Sequence, residues 1–313
     1  MKVFVAGGTG AVGKYLVPQL VAAGHDVTAL TRSDEKAEAL RATGARAVVA
    51  DALDRSAITK IIQRSEPDVI VHQLTGLVGV KNFREFDKEF ATTNRLRTEG
   101  LDYLLEAARA AGTKRFVAQS FGNWNYERTG SMVKSEDAPF DENPPANQAK
   151  SLAAIRYLED AVTSAPDLEG IVLRYGNFYG PGTSASVGGD MAATIQKRQF
   201  PIVGDGSGVW SFIHVEDAAR ATVAAIERGG RGIYNVVDDE PVAVRDWLPV
   251  LADALDAKRP RHVPVWLGRL AAGEVGVSLM TEIRGASNAK AKSALGWKPT
   301  FANYRVGFRT GLQ

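Results

Sequence analysis

The chain has 313 residues, 45% of them apolar and 24% charged, long enough for one large α/β domain or a domain with a smaller lobe whose core needs no metal or disulfide staple. Its 38 basic and 36 acidic residues leave a formal charge of +2, scattered along the chain, so the electrostatic footprint of a nucleic-acid binder is missing. There is no cysteine, which excludes disulfides, thiolate catalysis and cysteine-based zinc sites, and no run of about 18 apolar residues offers a membrane span.

In chain order, the opening MKVFVAGG lacks the layout of a signal peptide, so a cytoplasmic protein with no membrane, nucleic-acid or metal partner is expected. Short β-branched runs then alternate with helical patterns: KVFVA, GAVGKYLVPQLVAAG, DVTAL, SDEKAEALRATG, ARAVVA, DRSAITKIIQRS and PDVIVH. Such alternation predicts βαβ units and a parallel sheet with helices on both faces. Two further strands, RFVAQ at 115–119 and GIVLR at 170–174, follow helical stretches at 88–112 and 147–164, which makes six parallel strands in a doubly wound sheet. Residues 121–146, rich in Gly, Asn, Pro, Glu and Asp, are too long for a simple connection and are expected to form a functional loop. Beyond residue 175 the pattern turns irregular, with helices at 188–198, 216–228 and 244–256 and short strands near 201, 211 and 232. This predicts a sheet domain, 1–175, and a smaller α+β substrate lobe, 176–313, with segments crossing back to the sheet. The apolar stretch WLGRLAAGEVGVSLMTEI, 266–283, is expected to be lobe core, with a pocket wall as its alternative.

KVFVAGGTGAVGKYLV sets Gly8, Gly10 and Gly13 in the spacing G-x-G-x-x-G directly after a strand and at the mouth of a helix. Glycines there permit a tight turn, close approach of backbone to a pyrophosphate and close helix-on-strand packing, while the helix amino end offers N–H groups to the phosphates. The second strand ends in Leu30, Thr31, Arg32 and Ser33, with no acid to take a ribose 2′-hydroxyl, and Asp34 fits the start of the next helix. A cation at that place suits a 2′-phosphate, so NADP is expected in preference to NAD. Asp51 offers a carboxylate to the adenine amino group, or else serves as a cap or turn before the helix at 54–63.

GGTGAVG with Gly7, Gly10 and Gly13, Asp51 in ADALD, VIVHQLTG, Asn94 in TTNRLRTEGL, LRYGNFYGPGT, GDGSGVWSFIHVEDAARA, IYNVVDDEPV and AKSALGWKPT together resemble the extended branch of the short-chain dehydrogenase/reductase superfamily, the NAD-dependent epimerase/dehydratase family. The resemblance covers nearly the whole chain and implies a Rossmann fold. It would place Gly7, Thr9, Gly10, Ala11, Val12 and Gly13 on the pyrophosphate, Arg32 on the 2′-phosphate, Asp51 and Ala52 at the adenine, and Gln73, Leu74 and Thr75 along the cofactor. Asn94 would buttress the site, and Tyr175 and Asn177 would lie near the nicotinamide. The branch often dimerises through a four-helix bundle, here 88–112 and 147–164, in which Leu101, Leu104, Leu105 and Ala108 either reach a partner or pack in their own core.

The departure lies in the acid/base residues. The family pairs a tyrosine with a lysine four positions later, neighbours on one helix face, and places a Ser or Thr after the fifth strand. Here Lys150 has Ala146 four residues before it, and none of the eight tyrosines has a lysine at i+4. Ser120 stands one or two places before the expected hydroxyl position. Ser120, Lys150 and the loop residue Tyr126 are the catalytic candidates, with Lys134, Glu136, Asp137 and Tyr179 behind them; His72 and His214 read as core or edge histidines. The resemblance implies an NADP-dependent oxidoreductase or epimerase acting on a carbonyl or hydroxyl of a small polar metabolite with an unorthodox proton donor. A lyase or isomerase using the same cleft, or a catalytically silent NADP sensor, are the alternatives.

Overall fold

The computed structural model describes residues 1–77 and 82–313. Seven parallel strands form the central sheet: β1 (Lys2–Ala6), β2 (Asp26–Thr31), β3 (Arg46–Val49), β4 (Val69–His72), β5 (Arg115–Phe121), β6 (Glu169–Tyr175) and β7 (Gly232–Val236), in the order β7-β6-β5-β4-β1-β2-β3. The apolar residues of the inner strands are buried on both faces because helices cover both, as a parallel sheet requires, while Val49 on the edge strand β3 is exposed. The six-strand expectation falls short by one. GIYNV, placed by its sequence in the smaller lobe, returns to the sheet and pairs with β6 in the register Gly232↔Ile171 to Val236↔Tyr175. Five residues opening on glycine carry no signal of which sheet they join; the pairing edge that β6 leaves open decides it.

One face of the sheet packs helix Gly13–Ala22 through Leu16, Val17 and Leu20 against Ala218, Ala221 and Ala225 of helix Val215–Arg228. The other face holds Ile58, Ile62, Leu101, Leu104, Leu105, Ala108, Leu158 and Val162, so the leucine stripe of helix Leu101–Ala110 lies in this chain's own core. The helical stretch preceding it is interrupted by a π-helical turn, Leu96–Gly100, whose first carbonyl lies 3.0 Å from His72 Nε2. A third core joins the smaller lobe to the segments before residue 175: Tyr179, Trp210, Phe212, Trp247 and Phe308 share one cluster with Phe86, Phe90, Trp124 and Leu152.

The segment 121–146 is ordered against that lobe. Val133–Lys134 pairs with Gly285–Ala286, Tyr126 bridges to Phe140, and Arg128 binds Asp141 at 2.8 Å and also Glu282. The run 266–283 divides in two. Helix Val265–Thr281 breaks at Gly273 (φ 69°, ψ −172°); Val275 to Met280 are lobe core as expected, whereas Val265, Trp266, Leu267 and Leu270 are exposed. No helix among the described residues is long and apolar enough to cross a membrane.

Candidate functional site

The strand order reverses around β1, whose neighbours β2 and β4 carry the chain away in opposite directions, so the crevice at their carboxyl ends is the place where a doubly wound sheet receives a ligand. Gln73 N donates to Ala6 O at 2.8 Å, which brings the segment after β4 alongside the glycine turn after β1. Gly7 adopts φ 97°, and a Cβ there would meet Gln73 O at 2.6 Å; one on Gly13 would meet Gly7 O at 2.3 Å. The turn is therefore as tight as glycine permits. Helix Gly13–Ala22 begins behind it with no side-chain cap and no acid in its first turn, leaving its amino end suited to an anion. Val12 and Ala52 are buried, Ala11 is half-buried, and Thr9 Oγ1 lies 3.4 Å from Thr31 Oγ1, tying the turn to the end of β2.

Past Thr31, Ser33 caps helix Asp34–Ala42 through Lys36 N, and Asp34 stands in that helix's first turn. Arg32 is exposed and has no carboxylate partner among the described residues. Asp51 is also exposed; its Oδ1 accepts from Leu53 N at 2.9 Å, while Asp54 caps the following helix, so Asp51 makes a turn and keeps an oxygen toward solvent. After β4, Gln73 Nε2 donates to Tyr175 Oη at 3.0 Å, and Tyr175 Oη lies 2.6 Å from Thr222 Oγ1. Burial pushes the Tyr175 phenol up to about 12. Leu74 O accepts from Gln119 Nε2, Thr75 is exposed, and Asn177 Nδ2 donates to Ser211 O at 3.1 Å.

Helix Ala149–Thr163 opens on a different arrangement from the one its sequence suggests. Ala146 and Lys150 face solvent; the residues four apart that face inward at this helix start are Gln148 and Leu152, and Ser151 and Ile155. Gln148 Nε2 is buried without a partner. Asp87, from a neighbouring segment, accepts from Lys150 N at 3.1 Å and Ser151 N at 2.8 Å, placing a carboxylate at the helix amino end. Ser151 Oγ donates to Asp87 Oδ1 at 2.6 Å and accepts from Asn94 Nδ2 at 3.1 Å, which leaves Asn94 Oδ1 buried and unpartnered. Asp87, Gln148 and Ser151 were not singled out by sequence; only the inward face of this helix reveals them.

Ser120 and Tyr126 lie together in a buried network away from that helix start. Ser120 Oγ donates to Glu159 Oε1 at 2.6 Å, Glu159 is bound by Arg174, and Tyr126 Oη donates to Asn235 Oδ1 at 2.5 Å under the Arg174 guanidinium. Burial pushes the Tyr126 phenol up to about 12. Lys134 is held by Glu127, Glu136 Oε1 accepts from Asn235 N, and Tyr179 is enclosed in the lobe core. His72 and His214 are both buried, which lowers each below the ordinary histidine range.

A glycine-lined turn at the switch point of a doubly wound parallel sheet, with a second lobe over the carboxyl edge, defines a Rossmann-type α/β protein. The chain belongs to the NAD dependent epimerase/dehydratase family, whose family model matches residues 3–236. It is 44% identical over 309 residues, 98% of this chain and 99% of the relative, to a Streptomyces protein named 3-diazoavenalumate denitrifying reductase. It is 29% identical to a UDP-glucose 4-epimerase of Mycolicibacterium smegmatis, covering 96% of this chain and 95% of that one. Among solved structures, a UDP-glucose 4-epimerase from Thermotoga maritima superposes with a TM-score of 0.79 at 22% identity, over 100% of this chain and 97% of that one.

Proposed function

We propose that the chain is an NADP-dependent reductase that passes a hydride to a small aromatic substrate without a tyrosine general acid. The observation that carries this reading is that the inward face of the helix start holds Gln148, Ser151, Leu152 and Ile155, with no tyrosine or lysine among them. A ketone gains a proton on oxygen as hydride arrives, and a positioned acid contributes about 10² to 10⁴ in rate to such a step. Loss of nitrogen from an aryl diazonium has no such requirement: the hydride pair forms the C–H bond, and dinitrogen leaves with the C–N pair. The name of the 44% identical relative, a denitrifying reductase of a diazo compound, supports that substrate class.

The residues present fit a dinucleotide. The glycine turn leaves no room for a Cβ at Gly7 or Gly13, the helix amino end behind it carries no cap, and Gln73 Oε1 and Asn94 Oδ1 are buried acceptors without partners. Gly7 to Gly13 would hold the pyrophosphate, Arg32 the 2′-phosphate, Asp51 and Ala52 the adenine, and Gln73 to Thr75 the remaining length. The dinucleotide, when bound, supplies the hydride. Around the helix start Phe86 and Phe90 stack at 4.3 Å, Trp124 meets Phe86 edge-on at 5.3 Å, and Phe121 lies 5.9 Å from Trp124, in one cluster with Leu152. This apolar surround orients a flat ring and excludes water. The division into a sheet domain, 1–175, and a substrate lobe, 176–313, belongs to the same proposal.

The test is consumption of NADPH, against enzyme-free controls, with an aryl diazonium, an aromatic ketone and UDP-glucose. Turnover with dinitrogen release is expected for the first alone; reduction of the ketone at a greater rate would overturn the reading. Self-association completes the proposal. It would use the outer faces of helices Leu101–Ala110 and Ala149–Thr163, where Tyr157 is 42% exposed and donates to Asp102, and light scattering at tens of micromolar should give the mass of a dimer.

A further inference from the structure

The apolar run 266–283 leaves its first half outside the core, and the geometry says which way it points. Gly268 sits against the body of the lobe, so close that a Cβ there would meet Val203 Cγ1 at 2.5 Å. At 3.6 residues per turn, positions two before and two after lie about 200° round the helix, on the face opposite Gly268. Those positions are Trp266 and Leu270, 66% and 62% exposed, flanked by the exposed Val265 and Leu267. A tryptophan and a leucine therefore form an exposed ridge of this lobe.

The chain leading into the ridge is basic and fixed in place. His262–Val263 pairs with Ile202–Val203, and Arg198 donates through Nε and Nη2 to Arg259 O at 3.2 and 3.1 Å. Lys258, Arg259 and Arg261 are exposed and have no ion-pair partner among the described residues. Arg269 on the ridge is paired with Glu274, and the exposed acids Asp253 and Asp256 lie just upstream.

We propose that this ridge docks on an anionic lipid bilayer, with Trp266 and Leu270 entering the interfacial zone and Lys258, Arg259 and Arg261 meeting acidic headgroups. Charge complementarity and shape choose that occupant. A convex ridge two turns long fits a soft interface that closes around it, whereas a protein partner needs a matching groove and about 800 Å² on each side. A second copy of the same ridge would bring like charges together. Tryptophan with flanking cations is the composition that interfacial helices use, and basic residues near the surface add attraction to acidic lipid. Such an element needs only one face of a short helix, not the long apolar run of a membrane span.

The full chain supplies its own reporter. Trp124, Trp210, Trp247 and Trp297 are at most 7% exposed, so brominated lipid can quench Trp266 alone. With vesicles of phosphatidylcholine containing about one third phosphatidylglycerol, the protein should sediment and its fluorescence should fall; with pure phosphatidylcholine, or at high salt, both effects should shrink about tenfold. Trp266→Ser/Leu270→Ser and Lys258→Glu/Arg259→Glu/Arg261→Glu should each lower vesicle binding at least tenfold while the melting temperature stays unchanged, since all five side chains are exposed. The proposal is overturned if the wild-type chain stays in the supernatant, if it sediments without quenching, if either variant binds like wild type, or if poly-glutamate or duplex DNA is bound where vesicles are not.

Discussion

The Glu159 carboxylate and the Arg174 guanidinium meet at 2.6 Å with side chains 1% and 3% exposed, and Ser120 donates to the same carboxylate. Removing one member of a buried pair leaves the other charged and unpaired, so Glu159→Ala should lower stability by about 3–5 kcal/mol in urea unfolding. Ser120→Ala removes one hydrogen bond to a charged group and should cost about 1.5–3 kcal/mol, with nucleotide affinity unaltered. Lost affinity at unchanged stability would move Ser120 to the cofactor.

Arg32 is exposed beyond β2 with no carboxylate partner among the described residues, and the proposed NADP reading would have it contact a 2′-phosphate bidentately. Fluorescence titration should show NADPH binding at least tenfold more tightly than NADH, and Arg32→Asp should reverse the order. Equal dissociation constants in the unmodified protein would count against NADP.

Lys150 faces solvent, and its backbone N–H, not its ammonium, is what Asp87 holds. Lys150→Ala should therefore leave the NADPH dissociation constant within about twofold, and Ala146→Tyr should not create carbonyl reduction. By contrast, Asp87→Ala removes the carboxylate at the helix amino end and should cost about 1 kcal/mol. A several-fold loss of affinity in Lys150→Ala would show that the lysine reaches the cofactor.

Burial lowers His72 and His214 below their unfolded value of about 6.5. Below that pH the unfolded chain binds more protons than the folded one, so stability present at pH 7.5 is lost as the pH falls through about 6.5 toward the lowered folded values. Urea unfolding at pH 7.5 and 5.5 should show the decline, at up to about 1.4 kcal/mol per pH unit for each histidine. His72→Gln should reduce it to the share that His214 contributes, and an unchanged slope would place the effect elsewhere.

The doubly wound sheet was legible because a β-branched run, a turn and an amphipathic stretch repeat with fixed periods, and periodicity is local information. The glycine turn was legible for the same reason: tight turn and helix mouth sit within KVFVAGGTGAVGKYLV, and φ 97° at Gly7 is a demand that neighbouring residues express. The end of β2, Leu30 to Ser33 with Arg32 exposed, could likewise be read from a few neighbouring residues. What local pattern does not encode is which face of a helix turns inward or which open edge a short strand fills. Thus GIYNV joined the main sheet, Tyr126 and Ser120 went to a buried network around Glu159, and the inward side at the start of the helix at 149–163 fell to Ser151 and Leu152, with Gln148 just before it, instead of Lys150. The halves of helix Val265–Thr281 have similar composition, and Gly268 against Val203 leaves one ridge in solvent while the other half is buried. Side-chain direction is set by packing between segments far apart in the chain, and that depends on every other segment finding its place.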